Sequence, residues 1–347
     1  MFHFVTDPEA RNLRILARQP DDSSMPITDY LKTIARGAAG ARSLDRASAR
    51  ALMTAVLAGE VTDLELGAFV IAMRMKGETL VELCGFLDAV QARCLLLHSP
   101  DPVVVIPSYN GARRLPNLTP LLALMLAQAG VKVLVHGPLH DPARVTTADI
   151  FRDLGLIPAR HEADVHGAWA RHQPAFMPSG TLCPPLQDLL AVRQLVGLRN
   201  TGHSVAKMLH PFGAQRVLRL VNFTHPEFGA LMTAWAQQER ADAMLLRGTE
   251  GEPVADPRRR PRMDVYLGGL LCAAASCPAQ VGAVRDMPLL PGDRDAARTA
   301  LYVQSLLAGE RPVPAPIAHQ VRAVLAAVAR LAHPADTAPP VSLTSSA

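Results

Sequence analysis

The chain changes character near residue 100, and this change restricts the fold more than any other feature. From Ile27 onward, apolar residues recur with a helical period, and Asp45, Thr62 and Thr79 stand where helix N-caps belong. After two prolines, residues 103–106 form a run of β-branched side chains, which is typical of a buried strand. The sequence therefore predicts a block of short helices followed by a block that contains a sheet.

Strand-like and helix-like segments alternate through the second block. The predicted strands are residues 103–106, 131–136, 217–222, 243–247 and 263–267. The predicted helices are residues 119–130, 147–154, 225–238, 293–308 and 314–332. Because parallel strands need crossover connections, this alternation favours an α/β fold in which helices cover a parallel sheet.

The same reading divides the chain into four regions. Residues 1–24 show no sustained period and are predicted to be an irregular extension, which leaves Met25 as an alternative natural start to Met1. Residues 25–97 should form a helical domain and residues 98–333 an α/β domain. Residues 334–347 are rich in Pro, Ser and Thr and are predicted to be disordered.

Length and composition exclude several classes of protein. The 347 residues suffice for a large core. No apolar run reaches the roughly 18 residues of a membrane helix, and no signal peptide is evident, so we expect a cytoplasmic protein. The five cysteines are odd in number and fall in apolar segments, which indicates buried thiols rather than disulfides. The loop histidines lack the spacing of a metal-binding helix, so no metal site is predicted.

A row of cationic side chains lies within residues 195–212. Arg199, His203 and Lys207 recur every four residues, which would place them in one stripe of a helix that ends before Pro211. Apolar residues repeat on the opposite side, as expected of a helix packed on a core. The stripe predicts a nucleic-acid-binding surface; the alternative is an ordinary solvated polar face, and Gly202 weakens the prediction of one continuous helix.

A second group of cations follows in a loop fixed by prolines. Residues 192–262 hold eleven Arg or Lys against six Asp or Glu, although the whole chain carries a formal charge of only +4. The loop contributes four arginines, whose guanidinium groups suit phosphate oxygens: Arg258, Arg259, Arg260 and Arg262. An ordinary solvated loop is the alternative, since only four of the 35 cationic residues are lysines and arginine is favoured throughout. With aromatic residues at 4%, binding should depend on phosphate contacts and not on base stacking.

The helical block resembles a known domain. Residues 27–92, and most specifically the segment GEVTDLELGAFVIAMRMKGET, are similar to the helical domain that opens anthranilate phosphoribosyltransferases and pyrimidine nucleoside phosphorylases. The resemblance implies the nucleoside phosphorylase/phosphoribosyltransferase fold, an α/β domain with a separate helical domain that takes back part of residues 190–215. It also implies a homodimer formed through the helical domain.

The loop after the first strand departs from this family. Where the family carries GTGGDG to approach a pyrophosphate, this chain has PSYNGARR at residues 107–114, with one glycine left. The lysine and asparagine of the following Lys-His-Gly-Asn element are also replaced, and Glu252 alone stands where the family holds magnesium with an acidic pair. The resemblance thus implies no catalytic residue, metal or cofactor, and at most a remnant phosphate site formed by Asn110, Gly111, Arg113, Arg114, Asn117, Thr119 and His136.

The whole pattern, including RNTGHSVAKMLHPF and LRGTEGEPVADPRRRP, resembles the YbiB-type branch of the family. This resemblance implies sequence-independent binding of single-stranded DNA or RNA by a homodimer, through a basic groove and without transferase activity. The alternative is a phosphoribosyltransferase whose donor loop has been rebuilt around Arg113 and Arg114. The sequence leaves open the strandedness of the nucleic acid and whether a small phosphorylated ligand occupies the old cleft.

Overall fold

The computed structural model describes residues 25–213, 216–284 and 287–333 of the protein. The predicted extension at 1–24 and the predicted tail at 334–347 lie outside the described residues. The chain begins with a helical block whose helices α1 to α5 span Ile27–Ile34, Gly37–Gly40, Arg46–Leu57, Asp63–Lys76 and Leu80–Gln91.

The predicted N-caps of this block are confirmed. The Asp45 carboxylate accepts a hydrogen bond from a backbone N–H in the first turn of α3. Thr62 and Glu65 form a capping box at the start of α4, and Thr79 and Glu82 form another at the start of α5. Each box satisfies two backbone N–H groups that a helix start would otherwise leave unpaired, so both helices begin at a defined residue.

A seven-stranded sheet forms the centre of the α/β part. Strands β1 to β7 span Val103–Pro107, Lys132–Gly137, Ala175–Pro178, Val217–Phe223, Ala243–Arg247, Met263–Leu267 and Leu270–Leu271. Their order is β3-β2-β1-β4-β5-β6-β7. The predicted parallel pairing is confirmed for β1 to β5, whereas β6 and β7 are antiparallel, because no crossover helix separates β5 from β6.

Helices cover both faces of this sheet. Helices α6 to α10 span Thr119–Gln128, Thr147–Asp153, Glu162–Ala170, Ser179–Leu182 and Pro184–Val196. Helices α11 to α14 span Gly202–Ala206, Pro226–Gln238, Ala296–Leu307 and Ala315–Ala332. The period of two along β1 shows the two layers: Val103 and Val105 belong to a core shared with the helical block, and Val104 and Ile106 to the core under α6, α13 and α14.

The prediction of one helix through the cationic stretch at 195–212 is wrong. Helix α10 ends at Val196 because Gly197 adopts a left-handed conformation with φ of 76°, which closes the helix. Helix α11 then has only five residues. Between them, the Asn200 amide donates to the Leu189 carbonyl oxygen at 2.6 Å, which holds the connecting segment in an irregular path.

The helical block packs directly on the α/β part. Helix α10 contacts α3, and α11 contacts α5. Arg46 donates to both Asp88 in the helical block and Glu239 after α12, with four nitrogen–oxygen distances between 2.7 and 2.9 Å. The Arg46 guanidinium thus links the two parts through two carboxylates. None of the helices in the described residues is long and apolar enough to cross a membrane.

Candidate functional site

The candidate site lies where the strand order changes direction. The chain moves outward from β1 to β2 and β3, then returns to add β4 on the other side of β1. Loops that follow the carboxyl ends of parallel strands diverge at such a point, and ligands of open α/β sheets bind there. In this protein the loop of residues 108–118, here called the β1 loop, meets the turn of residues 249–252 that follows β5.

A carboxylate from the turn occupies the β1 loop. Glu252 is 1% exposed, and its Oε1 accepts hydrogen bonds from the backbone N–H groups of Asn110 at 2.7 Å and Gly111 at 2.6 Å. Its Oε2 accepts hydrogen bonds from the hydroxyl groups of Ser108 and Thr119. Four donors that could have surrounded a ligand anion therefore surround a side chain of the protein itself.

A second carboxylate holds the outer part of the same loop. Glu250 accepts the backbone N–H groups of Arg113 at 2.6 Å and Arg114 at 3.0 Å. The turn that carries both carboxylates is tightly bent, since φ is 52° at Glu250 and 88° at Gly251. The space that remains between the turn and the loop is too small for a water molecule. The 249–252 turn thus fills the β1 loop as a plug.

Burial raises the pKa of Glu252, and the hydrogen bonds from Ser108, Gly111 and Asn110 oppose that rise, as does the charge of Lys207.

Two further residues of the predicted remnant phosphate site, Asn117 and Thr119, form hydrogen bonds within and beside the β1 loop. Thr119 N–H donates to Asn117 Oδ1, and the Asn117 amide donates to the Thr147 hydroxyl.

His136 contacts the β1 loop through Tyr109 and is not among the donors that surround Glu252, contrary to its place in the predicted remnant phosphate site. It is fully buried, with Nδ1 2.8 Å from the Tyr109 hydroxyl and Nε2 3.2 Å from the Leu209 carbonyl oxygen. A donor–acceptor chain follows if Nε2 carries the proton and Tyr109 donates to Nδ1. Burial lowers the pKa of His136 to about 4, so it is neutral at physiological pH and cannot attract phosphate.

Four cations gather beside the plugged loop, and we call Arg144, Arg193, Arg199 and Lys207 the cationic cluster. Arg144 donates to the Asn110 carbonyl oxygen at 3.2 Å, and Arg193 pairs with Asp141 at 3.2 Å. Arg199 lies close enough to both arginines for their charges to lower its pKa. One of its guanidinium nitrogens, Nη2, is buried and has no hydrogen-bond partner in the described residues.

The cationic cluster carries more positive charge than its surroundings neutralise. Burial and the charge of a neighbouring arginine together lower the pKa of Lys207 to about 8, and burial with the charges of two neighbouring arginines lowers that of Arg199 to about 10. The carboxylates that act on the members of the cluster are Asp141, Glu250 and Glu252, three acids against four bases. The cluster is therefore an electrostatically unfavourable arrangement that an anion would complete.

His203 does not join the cluster as a cation, so the predicted three-residue stripe is wrong in this respect. It is 8% exposed, and its Nδ1 contacts the Asn200 side chain. Burial, with the charges of Arg199 and Arg193, lowers the pKa of His203 to about 3. The sequence spacing could not reveal this, because the burial of His203 follows from the packing of the five-residue helix α11 on α5 and α10.

Comparison with known proteins agrees with the geometry of the fold. Residues 28–94 match the glycosyl transferase family, helical bundle domain. A relative from Escherichia coli strain K12, named uncharacterized protein YbiB, is 40% identical over 315 residues, which are 90% of this chain and 97% of the relative. The chain belongs to the YbiB branch of the anthranilate phosphoribosyltransferase-like family.

More distant relatives of this YbiB-branch chain carry the enzyme's name. The anthranilate phosphoribosyltransferase of a Nocardioides species is 26% identical over 262 residues, 74% of this chain and 75% of the relative. The crystal structure of anthranilate phosphoribosyltransferase from Thermus thermophilus superposes with a TM-score of 0.65 at 22% identity, covering 88% of each chain. The Saccharomyces cerevisiae enzyme in complex with PRPP and Mg superposes with a TM-score of 0.63 at 11% identity, over 89% of this chain and 93% of that chain. These structural similarities establish the fold.

The guanidinium groups of the predicted arginine loop of this YbiB-branch chain are held by local bonds, and none of them is among the four residues of the cationic cluster. Arg258 pairs with Asp256 at 2.8 Å, and Arg262 pairs with Asp264 at 2.8 Å. Two further guanidinium groups donate to backbone carbonyl oxygens, that of Arg259 to residues 280 and 282 and that of Arg260 to residue 278. The structure thus brings Arg199 and Lys207 together but leaves these four arginines outside that group.

Sequence reasoning missed half of the cationic cluster. Arg144 lies in the connection between β2 and α7, and Arg193 lies in the last turn of α10. A usable signal existed for Arg144, because it follows the carboxyl end of a strand that adjoins β1. Arg193 carried no comparable signal. Within the described residues, no group of three or more His, Cys, Asp or Glu side chains is placed to hold a metal ion.

Proposed function

We propose that this protein binds nucleic acid through phosphate contacts at the cationic cluster, without sequence preference, and does not transfer ribosyl groups. The observation that carries the proposal is that the hydrogen-bond donors of the β1 loop are already occupied, while two cationic side chains beside the loop have no partner in the described part of the chain. Glu252 occupies the donors of the β1 loop, whereas the side chains of Arg199 and Lys207 form no hydrogen bond or ion pair within the described residues. The site has lost a place for a bound pyrophosphate and gained a place for an external anion.

Phosphodiester groups suit this site better than bases do. Arginine and lysine contact phosphate oxygens without reading sequence. Tyr109, the aromatic residue of the β1 loop, is 6% exposed and bonded to His136, so it offers no face for stacking. Affinity should therefore come from charge and should be similar for unrelated sequences. The Arg258–Arg262 loop is assigned a secondary role, because its guanidinium groups already have partners.

The proposal includes a homodimer that acts in the cytoplasm. One face of α4 exposes large apolar side chains at helical spacing, with Leu64 at 80% and Met75 at 82% exposure and Ile71 between them. Leu195, at 89% exposure, is a further exposed apolar side chain near the end of α10, and the Thr201 hydroxyl after α10 donates to Glu78, which follows the end of α4. A second copy of this face is the occupant that the family resemblance supports.

The sharpest test measures binding against salt. We expect single-stranded DNA to bind with a log–log salt slope of about −0.7 per phosphate contact, so the double variant Arg199→Ala/Lys207→Ala should make the slope shallower by about 1.4. Fluorescence anisotropy on two unrelated sequences would measure both slopes. Arg171→Ala/Arg322→Ala removes the same charge from exposed positions elsewhere and serves as the matched control. Equal losses in both double variants would show that net charge, and not this site, is responsible, and would overturn the proposal.

A phosphoribosyltransferase is the second candidate, and the relatives that carry this name favour it. It requires the β1 loop to release Glu252 and accept a pyrophosphate, with Glu250 and Glu252 left as the nearby acids to hold magnesium. A ligand that binds only the native state raises the melting temperature once its concentration exceeds the Kd. Under our proposal, PRPP with magnesium should raise the melting temperature no more than the same concentration of a nucleoside monophosphate without magnesium, whereas a larger, magnesium-dependent rise would favour the enzyme.

A further inference from the structure

Two of the five cysteines lie side by side at the junction between the helical block and the α/β part. Cys94 follows α5, the last helix of the helical block, and Cys183 lies between α9 and α10. Their sulfur atoms contact the same backbone atom, the Val90 carbonyl oxygen, which is 3.3 Å from Cys94 Sγ and 4.0 Å from Cys183 Sγ. Two sulfurs that share one acceptor at these distances are near neighbours in space, although they are far apart along the chain.

A backbone hydrogen bond holds the two cysteine segments against each other. The N–H of Leu95, next to Cys94, donates to the carbonyl oxygen of Leu182, next to Cys183, at 2.8 Å. Backbones joined in this way run roughly 4.5–5.5 Å apart, which lies within the roughly 4.4–6.8 Å that separates the Cα atoms of a disulfide. A disulfide between Cys94 and Cys183 therefore needs rotation of two side chains and little movement of the backbone.

The two thiols differ in exposure and in acidity. Cys183 is fully buried, whereas Cys94 is half-buried and the other residues of 92–96 are exposed. A hydrogen bond between the two thiols lowers the pKa of Cys183, burial opposes this, and the Leu186 backbone N–H and the charge of Arg93 lower it further. The same thiol–thiol hydrogen bond, together with burial, raises the pKa of Cys94. A small oxidant can thus reach Cys94, and the more acidic thiol lies beside it.

We propose that a peroxide oxidises Cys94 and Cys183 to a disulfide that ties the helical block to the α/β part. Peroxide transfers an oxygen atom to the Cys94 sulfur, which gives a sulfenic acid and one water molecule. The Cys183 sulfur then attacks the Cys94 sulfur and displaces the hydroxyl group, which leaves as a second water with the Cys183 proton. The two sulfurs together lose two electrons, and hydrogen peroxide accepts them.

This oxidation would be a reversible response to oxidant. Cytoplasmic thiols are kept reduced, and the disulfides that do form there are mostly transient. All five cysteines are free thiols in the structure, which is the state before oxidation. The inference does not depend on the proposed nucleic-acid binding.

The experiment counts thiols in the unfolded protein before and after treatment with hydrogen peroxide. Peroxide should reduce the count of the wild-type protein from five to three, and peptide mapping should find a cross-link between Cys94 and Cys183. Dithiothreitol should restore five thiols. The control variant Cys272→Ser/Cys277→Ser removes the two other half-buried thiols and should still lose two thiols. A wild-type protein that retains all five thiols, or that cross-links other cysteines, would overturn the proposal.

Single variants test the order of the two steps. In Cys183→Ser, the sulfenic acid at Cys94 has no partner, so dimedone should label Cys94. In Cys94→Ser, Cys183 is buried and should remain unlabelled. Circular dichroism would verify that both variants fold. Dimedone labelling of Cys183 in Cys94→Ser would refute the assigned order.

Oxidation should also stabilise the protein. The disulfide restricts the unfolded chain, so the melting temperature of the wild-type protein should rise by about 5 °C and return to its original value with dithiothreitol. Cys94→Ser should show no such rise. A wild-type melting temperature that stays the same or falls on oxidation would show that the bond distorts the packing between the two parts, and would overturn the claim that the folded backbone is already positioned for it.

Discussion

The Gly111 backbone N–H donates a hydrogen bond of 2.6 Å to a carboxylate oxygen of Glu252, a residue 141 positions further along the chain. Asn110 N–H donates to the same oxygen. The protein keeps a loop whose backbone is arranged to bind an anion, and it supplies that anion from its own side chain. The phosphoribosyltransferase-like fold of this protein thus has a β1 loop whose backbone donors are occupied by a carboxylate of the same chain.

Removing the Glu252 carboxylate should destabilise the fold. Glu252→Ala leaves two backbone N–H groups and two hydroxyl groups without their buried acceptor, which should cost about 3 kcal/mol or more of unfolding free energy. Glu252→Gln should cost less than about 1.5 kcal/mol, because one amide oxygen still accepts both N–H groups and the hydroxyls can turn to accept from the amide. Urea unfolding of both variants would measure the difference. Equal costs would mean that the hydrogen bonds do not hold the loop.

A side chain added at Gly251 should displace the 249–252 turn from the β1 loop and so destabilise the protein. A Cβ at this position would lie 1.7 Å from Asn110 Nδ2, and φ is 88°. Gly155 is the matched control, since its φ is 79° but a Cβ there would meet nothing within 4 Å. Gly155→Ala should cost about 1–2 kcal/mol from backbone conformation alone. Gly251→Ala should cost clearly more in denaturant unfolding, and a cost no greater than that of the control would contradict the tight seating of the turn.

Lys207 should lower the unfolding free energy of the protein while it strengthens DNA binding. Burial and the charge of Arg199 lower its pKa in the folded protein to about 8, below the value in the unfolded chain, while Glu252 opposes this. The unfolded state thus binds more protons between about pH 8 and 10.5, so stability should rise with pH across that window. Lys207→Met should raise the unfolding free energy at pH 7 by roughly 1–3 kcal/mol and weaken DNA binding. Lys32→Met, at an exposed position, should change neither quantity, and a destabilised Lys207→Met protein would refute the charge argument.

Buried histidines should make the protein sensitive to acid. Burial lowers the pKa of His136 to about 4 and of His203 and His210 to about 3. Their folded-state pKa values lie below the unfolded value of 6.5, so the stability they contribute is present above pH 6.5 and is lost as pH falls toward 4 and 3. Between pH 6.5 and 4.5 each should contribute a slope of up to about 1.4 kcal/mol per pH unit. Urea unfolding across this range should show a shallower slope for His203→Gln and no change for His140→Gln, an exposed position.

The absence of a charged His203 also changes an expectation for binding. If the ring were exposed, with a pKa near 6.5, DNA binding would tighten as pH fell toward 6. Its pKa of about 3 removes that effect, so affinity from pH 7.5 to 6 should tighten only slightly, by the amount that completes the protonation of Lys207, whose pKa is about 8. Anisotropy titrations at several pH values would measure this, and clearly tighter binding near pH 6 would indicate that the ring becomes accessible.

Much of the fold could be predicted from short stretches of sequence. The capping boxes at Thr62 and Thr79 depend on a side chain three residues away, and β1 and β5 are short apolar runs with clear boundaries. Prediction failed for β3, whose four residues are too few to show a period, and for the helix through residues 195–212. There the cationic spacing suited a helix, but Gly197 takes a left-handed conformation that interrupts it.

Local sequence was sufficient to specify the helical block, the alternation of the α/β part and the loss of glycines from the β1 loop, because propensity and periodicity act over a few residues. Long-range packing specified the site. Glu252 reaches the loop from a turn far along the chain, and Arg144, Arg193, Arg199 and Lys207 come from separate segments. The charge state and the partners of an ionisable group depend on burial and on neighbouring charges in space, and neither quantity can be obtained from the order of residues along the chain.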